Sequence, residues 1–337
     1  MSPRGRPSRK QRARQATQSS GPAAGEVRVL AVGEALAGGR LDRTVAALLP
    51  ELSRARAREL IEEGQVTVDG RTGAAAERPR AGARLEVRLE ARGFAVAPAP
   101  LDLPVLWEDD ALLVIDKPAG VAVHPGAHLR GPTVLAGLLH RFAGSGVRPG
   151  IAHRLDQETS GCLAVAKSEP ALRGLLAAFR GRTVEKRYRA LVHGAPPDAG
   201  ELDTLFGPAG EGQGRRLSSK VAEGQRALTR FRVLGRGGGA ALLDVELLTG
   251  RTHQIRVHFA DAGFPLLGDG LYGGAGLEAA LPPEAPARRA AEALGRQGLH
   301  AFQLALPHPI SGARIACTAP LPADLRAALS LLGIAGG

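Results

Sequence analysis

Three short segments set reactive or charged side chains between apolar runs, and any chemistry would sit in them. The first reads Ile151-Ala152-His153-Arg154-Leu155-Asp156-Gln157-Glu158-Thr159-Ser160-Gly161 and leads into an apolar stretch, residues 162–166. A polar loop feeding a buried strand can hold a reactive carboxylate. Asp156 fits that role, and it equally fits a turn or capping residue, because Asp commonly serves loops that way. The second segment is Glu185-Lys186-Arg187-Tyr188-Arg189-Ala190-Leu191-Val192. An aromatic ring among cations is the composition of a base-stacking platform. The alternative is a half-buried strand tyrosine with arginine stems packed on it. The third segment is Leu248-Thr249-Gly250-Arg251-Thr252-His253-Gln254-Ile255-Arg256-Val257-His258-Phe259-Ala260. Thr252 can N-cap a helix there, with Ile255 and Phe259 on its buried face and Arg256 on another. Arg251 then lies at the strand end, placed to pair with a carboxylate or a phosphate.

Other chemistries find no support. Gly235, Gly237 and Ala240 fit a loose dinucleotide pattern, but a strand follows where a helix is needed, so residues 235–239 read as a hairpin turn. No Gly-rich phosphate loop ends in Gly-Lys-Ser/Thr. The histidines lack metal-ligand spacing, with His124/His128 and His253/His258 the closest pairs, and no metal site is expected. A glycoside-type hydrolase would need two cooperating carboxylates, and near Asp156 only Glu158 is available. The two cysteines, Cys162 and Cys317, are too few for a disulfide framework and read as small core residues of a cytoplasmic protein.

The 337 residues carry a formal charge of +11, with 39 Arg and only 5 Lys among the 44 basic residues. A basic excess suggests a polyanionic partner, nucleic acid first, and Arg grips phosphate bidentately where Lys cannot. Residues 1–25 supply six of these cations (Arg4, Arg6, Arg9, Lys10, Arg12, Arg14) and no acid. They cannot bury a core and read as a disordered basic tail without a secretory signal. No apolar run reaches the length of a membrane span, so no membrane partner is expected.

The elements that must position these segments are legible in outline. Leu41, Val45, Leu48 and Leu49 mark one face of a short helix. Ser53 can N-cap a second, which Gly64 ends. A strand at 65–68, a turn at Asp69-Gly70 and a strand at 84–89 complete a mini-domain. Residues 93–104, with Pro98, Pro100 and Pro104, read as a linker. After it come a hairpin over 105–108 and 111–115, helices over 133–142 and 171–180, and strands over 187–192, 227–233 and 241–248. Residues 273–297 read as a surface insertion with one helix. Strands without regular βαβ alternation predict an α+β fold with a mixed, largely antiparallel sheet.

Residues 26–92 resemble the S-four RNA-binding module through Arg40-Leu41-Asp42-Arg43, Ser53-Arg54 and Gly64-Gln65-Val66-Thr67-Val68-Asp69-Gly70. The resemblance implies that arginines of the first two helices, Arg54 and Arg58 among them, face RNA. A solvated Arg-rich helix face is the plainer reading.

Roughly residues 103–320 resemble the RluA-type branch of the pseudouridine synthases, which implies a catalytic domain over 105–330. Lys117-Pro118-Ala119-Gly120 with Val123-His124-Pro125-Gly126 matches the family's first motif. His153-Arg154-Leu155-Asp156 with Thr159-Ser160-Gly161 matches its catalytic loop. Gly250-Arg251-Thr252-His253-Gln254-Ile255-Arg256 matches its third motif, and Leu299-His300-Ala301 with His308-Pro309 the last. The resemblance implies that Asp156 is the essential carboxylate, acting at the ribose as nucleophile or as base. It implies that Arg251 pairs with Asp156 and that Tyr188 stacks on a flipped-out uracil. His153, Arg154, Lys186, Gln254 and Arg256 are then expected to bind substrate. The reaction is an isomerisation that needs no cofactor and no metal. The appended module points to large-subunit ribosomal RNA as the partner of a monomeric enzyme. Transfer RNA as substrate, or an idle ribosome-assembly factor that kept the fold, are the alternatives.

Overall fold

The computed structural model describes residues 26–49, 52, 54–89, 96–126, 131–209 and 217–335. The basic tail, Ser53 as an N-cap and residues 93–95 of the expected linker lie outside them. The chain divides into two compact units, Met1–Ala95 and Val96–Gly337.

In the first unit, β1 (Glu26–Ala31), β2 (Val66–Val68), β3 (Arg71–Thr72) and β4 (Arg84–Leu89) form an antiparallel sheet in the order β1-β4-β2-β3. Two helices, α1 (Leu41–Leu48) and α2 (Arg54–Glu62), complete the unit. Leu41, Val45, Leu60 and Ile61 from the helices bury against Val66, Val68, Leu85 and Val87. The expected turn is present: Asp69 and Gly70 both take positive φ, which joins β2 tightly to β3. Strand β1 was not legible, because Val27 and Val29 alternate toward solvent rather than the core.

The second unit is built on one mixed sheet. Its strands are β5 (Val105–Glu108), β6 (Leu112–Lys117), β7 (Gly150–Ile151), β8 (Ser160–Ala166), β9 (Glu185–His193), β10 (Ala199–Pro208), β11 (Leu217–Ser218), β12 (Gln225–Gly237), β13 (Ala240–Leu247), β14 (Leu299–Pro307) and β15 (Arg314–Thr318). The main order is β11-β10-β12-β13-β9-β14-β8-β6-β5, with β15 on β14 and β7 on β8. Every named strand pair is antiparallel except β14 with β8, so the α+β, largely antiparallel expectation holds. The helices are α3 (Val134–Arg141), α4 (Glu169–Arg180), α5 (Gln254–Asp261), α6 (Gly274–Ala280), α7 (Pro286–Leu294) and α8 (Ala323–Leu332).

Strand alternation sorts the side chains by face. Leu163, Val165, Tyr188, Ala190, Val192, Leu243 and Val245 pack with α3 and with Ile255 and Phe259 of α5. The opposite faces receive Ala171 and Leu175 of α4 near β8, and α7 and α8 near β13. Cys162 and Cys317 are buried core residues.

Three readings need correction. Residues 96–104 are no linker: Ala99 N–H donates to the Ala136 carbonyl, and Leu103 is buried in the main core. A Cβ at Gly137 would come within 2.8 Å of Leu101, so the glycine makes room for this segment. The insertion carries two helices, and α7 is no surface element, since Ala287, Ala290 and Leu294 are buried against α8. The hairpin turn is narrower than residues 235–239: Gly238 and Gly239 take the positive φ values, and Gly235 and Gly237 lie in β12. Among the described residues no helix is long and apolar enough to cross a membrane.

Candidate active site

The loop of residues 152–159 enters β8, in which every residue is buried. Its turn closes where Thr159 N–H donates to the Asp156 carbonyl at 3.0 Å. Gly161 just beyond takes φ +112°, and a Cβ there would meet the Ala301 carbonyl oxygen at 2.2 Å. Only glycine lets β14 run this close beside β8.

Two buried cations hold the loop. Lys117, with no exposed surface, donates from Nζ to the carbonyls of Pro118, Val121 and Gln157 at 2.7, 2.7 and 3.0 Å. Burial above all pushes this ammonium down to about 8. From the other side, Arg296 Nη1 donates to the Glu158 carbonyl at 2.9 Å, and Gln297 Nε2 donates to Thr159 Oγ1 at 3.0 Å. Arg296 is itself paired with Asp324.

Asp156 faces a cavity of about 450 Å³ lined by residues of β9, α4, the 152–159 loop and the start of α5. Arg256 on α5 donates from Nη1 to Asp156 Oδ2 at 3.3 Å. The same guanidinium forks onto Asp269, Nε to Oδ2 at 2.7 Å and Nη2 to Oδ1 at 2.9 Å. Asp269 is buried. Burial pushes its carboxyl up, but Arg256 and the backbone N–H groups of Tyr272 and Leu271 bring it below the usual range. Arg256 also lies over the Tyr272 ring, 5.1 Å from its centre.

Arg251 does not make the expected pair. It lines the cavity, but its Nε donates to the Arg226 carbonyl on β12 at 3.1 Å. The N-cap of α5 is His253, not Thr252, and His253 takes a left-handed φ of 56°. The helix begins one residue late, with Arg251 in the loop before it and Arg256 on its buried side.

Tyr188 lines the cavity on β9 and is 8% exposed. Burial, and then the charge of Asp156, push its phenol well above its ordinary value. Lys186, two residues along the same face, also lines the cavity, and its Nζ donates to the Thr249 carbonyl at 3.5 Å. Burial and the neighbouring Arg182 push it down to about 8. Arg187 and Arg189 point to the opposite face, where both pair with Asp244 of β13. The ring of Tyr188 is thus not set among cations on all sides.

Two expected substrate contacts are spent internally. His153 Nε2 accepts a hydrogen bond from Ala164 N–H at 2.9 Å, and its ring stacks on Phe179. Burial and then Lys186 push this imidazole down to about 3, so it is neutral. Gln254 is buried. Its Oε1 accepts from Thr249 Oγ1 and Arg251 N–H, and its Nε2 donates to the Leu228 carbonyl and Thr229 Oγ1. It ties β12 to the start of α5. Arg154 is exposed at the cavity rim.

In the first unit, Arg54 donates from Nε and Nη2 to buried Asp42, and Arg58 pairs with Glu62 one turn on. Burial pushes the Asp42 carboxyl up, but hydrogen bonds from Arg40 and Arg54 bring it down overall. Both arginines stay more than half exposed. Arg54 therefore braces its own module as well as facing solvent.

Residues 111–261 match the family model of RNA pseudouridylate synthase, and residues 39–79 match that of the S4 domain. An uncharacterised RNA pseudouridine synthase of Mycobacterium bovis is 42% identical over 315 residues, covering 90% of this chain and 98% of its own. The ribosomal large subunit pseudouridine synthase D of Xanthomonas campestris is 40% identical over 322 residues, 94% of this chain and 95% of its own. The solved human RNA pseudouridylate synthase domain containing 1 superposes with a TM-score of 0.54 at 28% identity, covering 67% of this chain and 87% of its own. With this much of its length shared, and with an acidic loop, a tyrosine strand and an arginine helix meeting at one cavity, the chain belongs to the family of RNA pseudouridine synthases.

Proposed function

We propose that the protein isomerises uridine to pseudouridine in large-subunit ribosomal RNA, with Asp156 as the essential carboxylate. One observation carries the assignment of the residue: Asp156 is an acid lining the cavity, held by Arg256 and flanked by Tyr188. The substrate class rests on the relatives named as large-subunit synthases and on the S4 match.

The chemistry breaks the bond from uracil N1 to the ribose C1′, turns the base, and joins its C5 to C1′. The proton on C5 leaves and N1 gains one, so atoms balance with nothing consumed. Asp156 acts at the ribose, either on C1′ as nucleophile or on C2′–H as base. Arg256 holds one carboxylate oxygen and leaves the other toward the cavity. Tyr188 offers its ring to the extruded uracil. With its phenol pushed up, the hydroxyl keeps its proton near neutral pH and serves as a neutral hydrogen-bonding group. Arg154 at the rim, with Arg251 and Lys186 in the lining, takes phosphates of the flanking nucleotides.

Pseudouridine mapping of total RNA from a strain lacking the gene, beside its parent, tests this. The expected result is loss of one or more pseudouridines in large-subunit ribosomal RNA, restored by the intact gene. Loss confined to transfer RNA, or no loss anywhere, would overturn the substrate class or the activity.

A further inference from the structure

Arg256 accounts for one oxygen of Asp156. The other, Oδ1, faces His253, whose Nε2 lies 3.9 Å away. That is outside hydrogen-bond range and one small shift from it. Resting on the reading of Asp156 above, we propose that His253 is a positioning residue for the carboxylate: aimed by Tyr272, its Nε2–H donates to Asp156 Oδ1 once RNA fills the cavity.

Four observations support this. The backbone of His253 is left-handed, with φ 56° and ψ 21°. That conformation suits Gly or Asn and is uncommon for other residues, and strain of this kind gathers at functional sites. His253 also occupies an N-cap, yet its side chain makes no capping bond. Ser, Asp or Asn would serve that place better. Neither local role explains an imidazole here.

The ring is aimed from behind. His253 Nδ1 lies 3.0 Å from the Tyr272 hydroxyl, and that hydroxyl accepts from Leu217 N–H at 3.4 Å. When the hydroxyl gives its own proton to Nδ1, the ring hydrogen is left on Nε2, the nitrogen facing Asp156.

The charges around the ring fit a neutral donor. Burial pushes His253 below its ordinary value. Of the groups facing it, Asp156 on the catalytic loop and Asp269 after α5 pull it up, while Arg256 on α5 and Arg154 on the loop push it down. A neutral imidazole donates to the carboxylate without cancelling its charge. An imidazolium would draw that charge off, so the rate should fall at acid pH.

The test uses the full-length protein with total RNA from the deletion strain as substrate, read as single-turnover pseudouridine formation. His253→Asn suits the left-handed backbone but cannot reach Asp156. His253→Gln keeps a donor at about the right reach and does not titrate. His253→Asn is expected to melt at or above the wild-type temperature, to bind RNA equally well, and to react about 10–100-fold more slowly. His253→Gln is expected to recover most of the rate, with its acid limb moved to lower pH. His253→Asn at wild-type speed would overturn the proposal, as would His253→Gln reacting as slowly as His253→Asn with an unmoved acid limb. Asp156→Asn run in parallel separates the two claims. If it still reacts, the reading of Asp156 fails. If it is inactive while His253→Asn is fast, only the role of His253 fails.

Discussion

Arg256 reaches Asp156 through a single nitrogen, Nη1 at 3.3 Å from Oδ2, because its fork is given to Asp269. One buried guanidinium therefore joins the carboxylate that faces the cavity to one that never does. Asp269 fixes the plane of the guanidinium, and that plane fixes where Asp156 can point.

Arg256→Lys should be far more damaging than Arg251→Ala. A lysine cannot span both carboxylates. We expect single-turnover isomerisation to fall about 100-fold or more, with a lower melting temperature because Asp269 loses its fork. Arg251→Ala should leave the melting temperature unchanged and weaken RNA binding only. Equal losses in the two variants would contradict the pairing seen here.

Tyr188 should show no phenolate chemistry near neutrality. Burial and the facing charge of Asp156 hold its phenol protonated well past its ordinary range. The wild-type rate profile should therefore lack a rise attributable to Tyr188 between pH 7 and about 10. A rise in that window that vanishes in Tyr188→Phe would make the phenolate the working species.

Lys186 should make RNA affinity depend on pH. Its ammonium is pushed down to about 8, so the free protein loses this cation as pH rises through that value. Binding measured at constant salt should weaken from pH 7 to 9 in the wild type and less so in Lys186→Met. Parallel curves would show that Lys186 does not meet RNA.

Lys117 should couple stability to pH. Its folded-state value of about 8 lies below the ordinary 10.5, so the unfolded chain binds more protons between the two. This group therefore adds stability as pH rises through that window, an increment lost again as pH falls toward 8. Lys117→Met should lack the increment. It should also be less stable throughout, by about 1–3 kcal/mol for each carbonyl left unsatisfied. A wild-type-minus-variant difference that is flat from pH 8 to 10 would contradict the assignment.

The site was legible where chemistry and local pattern coincide. The polar loop before an apolar strand marked Asp156 as a candidate, whereas Tyr188 read as a ring among cations, and only the structure separates Lys186 on its face from Arg187 and Arg189 on the other. The partner of Asp156 was not legible, because Arg251 and Arg256 lie in one motif and spacing alone favours neither. The structure decides between them, and the left-handed turn at His253 before α5 leaves no mark in the sequence pattern. Asp269 and Tyr272 reach the site from 13 and 19 residues beyond Arg256 and His253, a tertiary relation no periodicity carries. One signal was available and unused. In a chain with 39 Arg, five Lys stand out, and Lys117, Lys167 and Lys186 all prove buried or half-buried. A compact ammonium fits where a guanidinium does not. The segment at 96–104 was misread because Pro and Ala suggest a linker, while its packing hangs on Leu101, Leu103 and the space left by Gly137.

In the proposed reaction, Asp156 performs the chemistry. Asp156→Asn keeps the size of the side chain and leaves Arg256 forked on Asp269, so folding and RNA binding should survive. Single-turnover pseudouridine formation on RNA from the deletion strain measures it most directly. No detectable product is expected, with RNA affinity within about threefold of wild type. Pseudouridine formed at a measurable rate by the asparagine variant would contradict it.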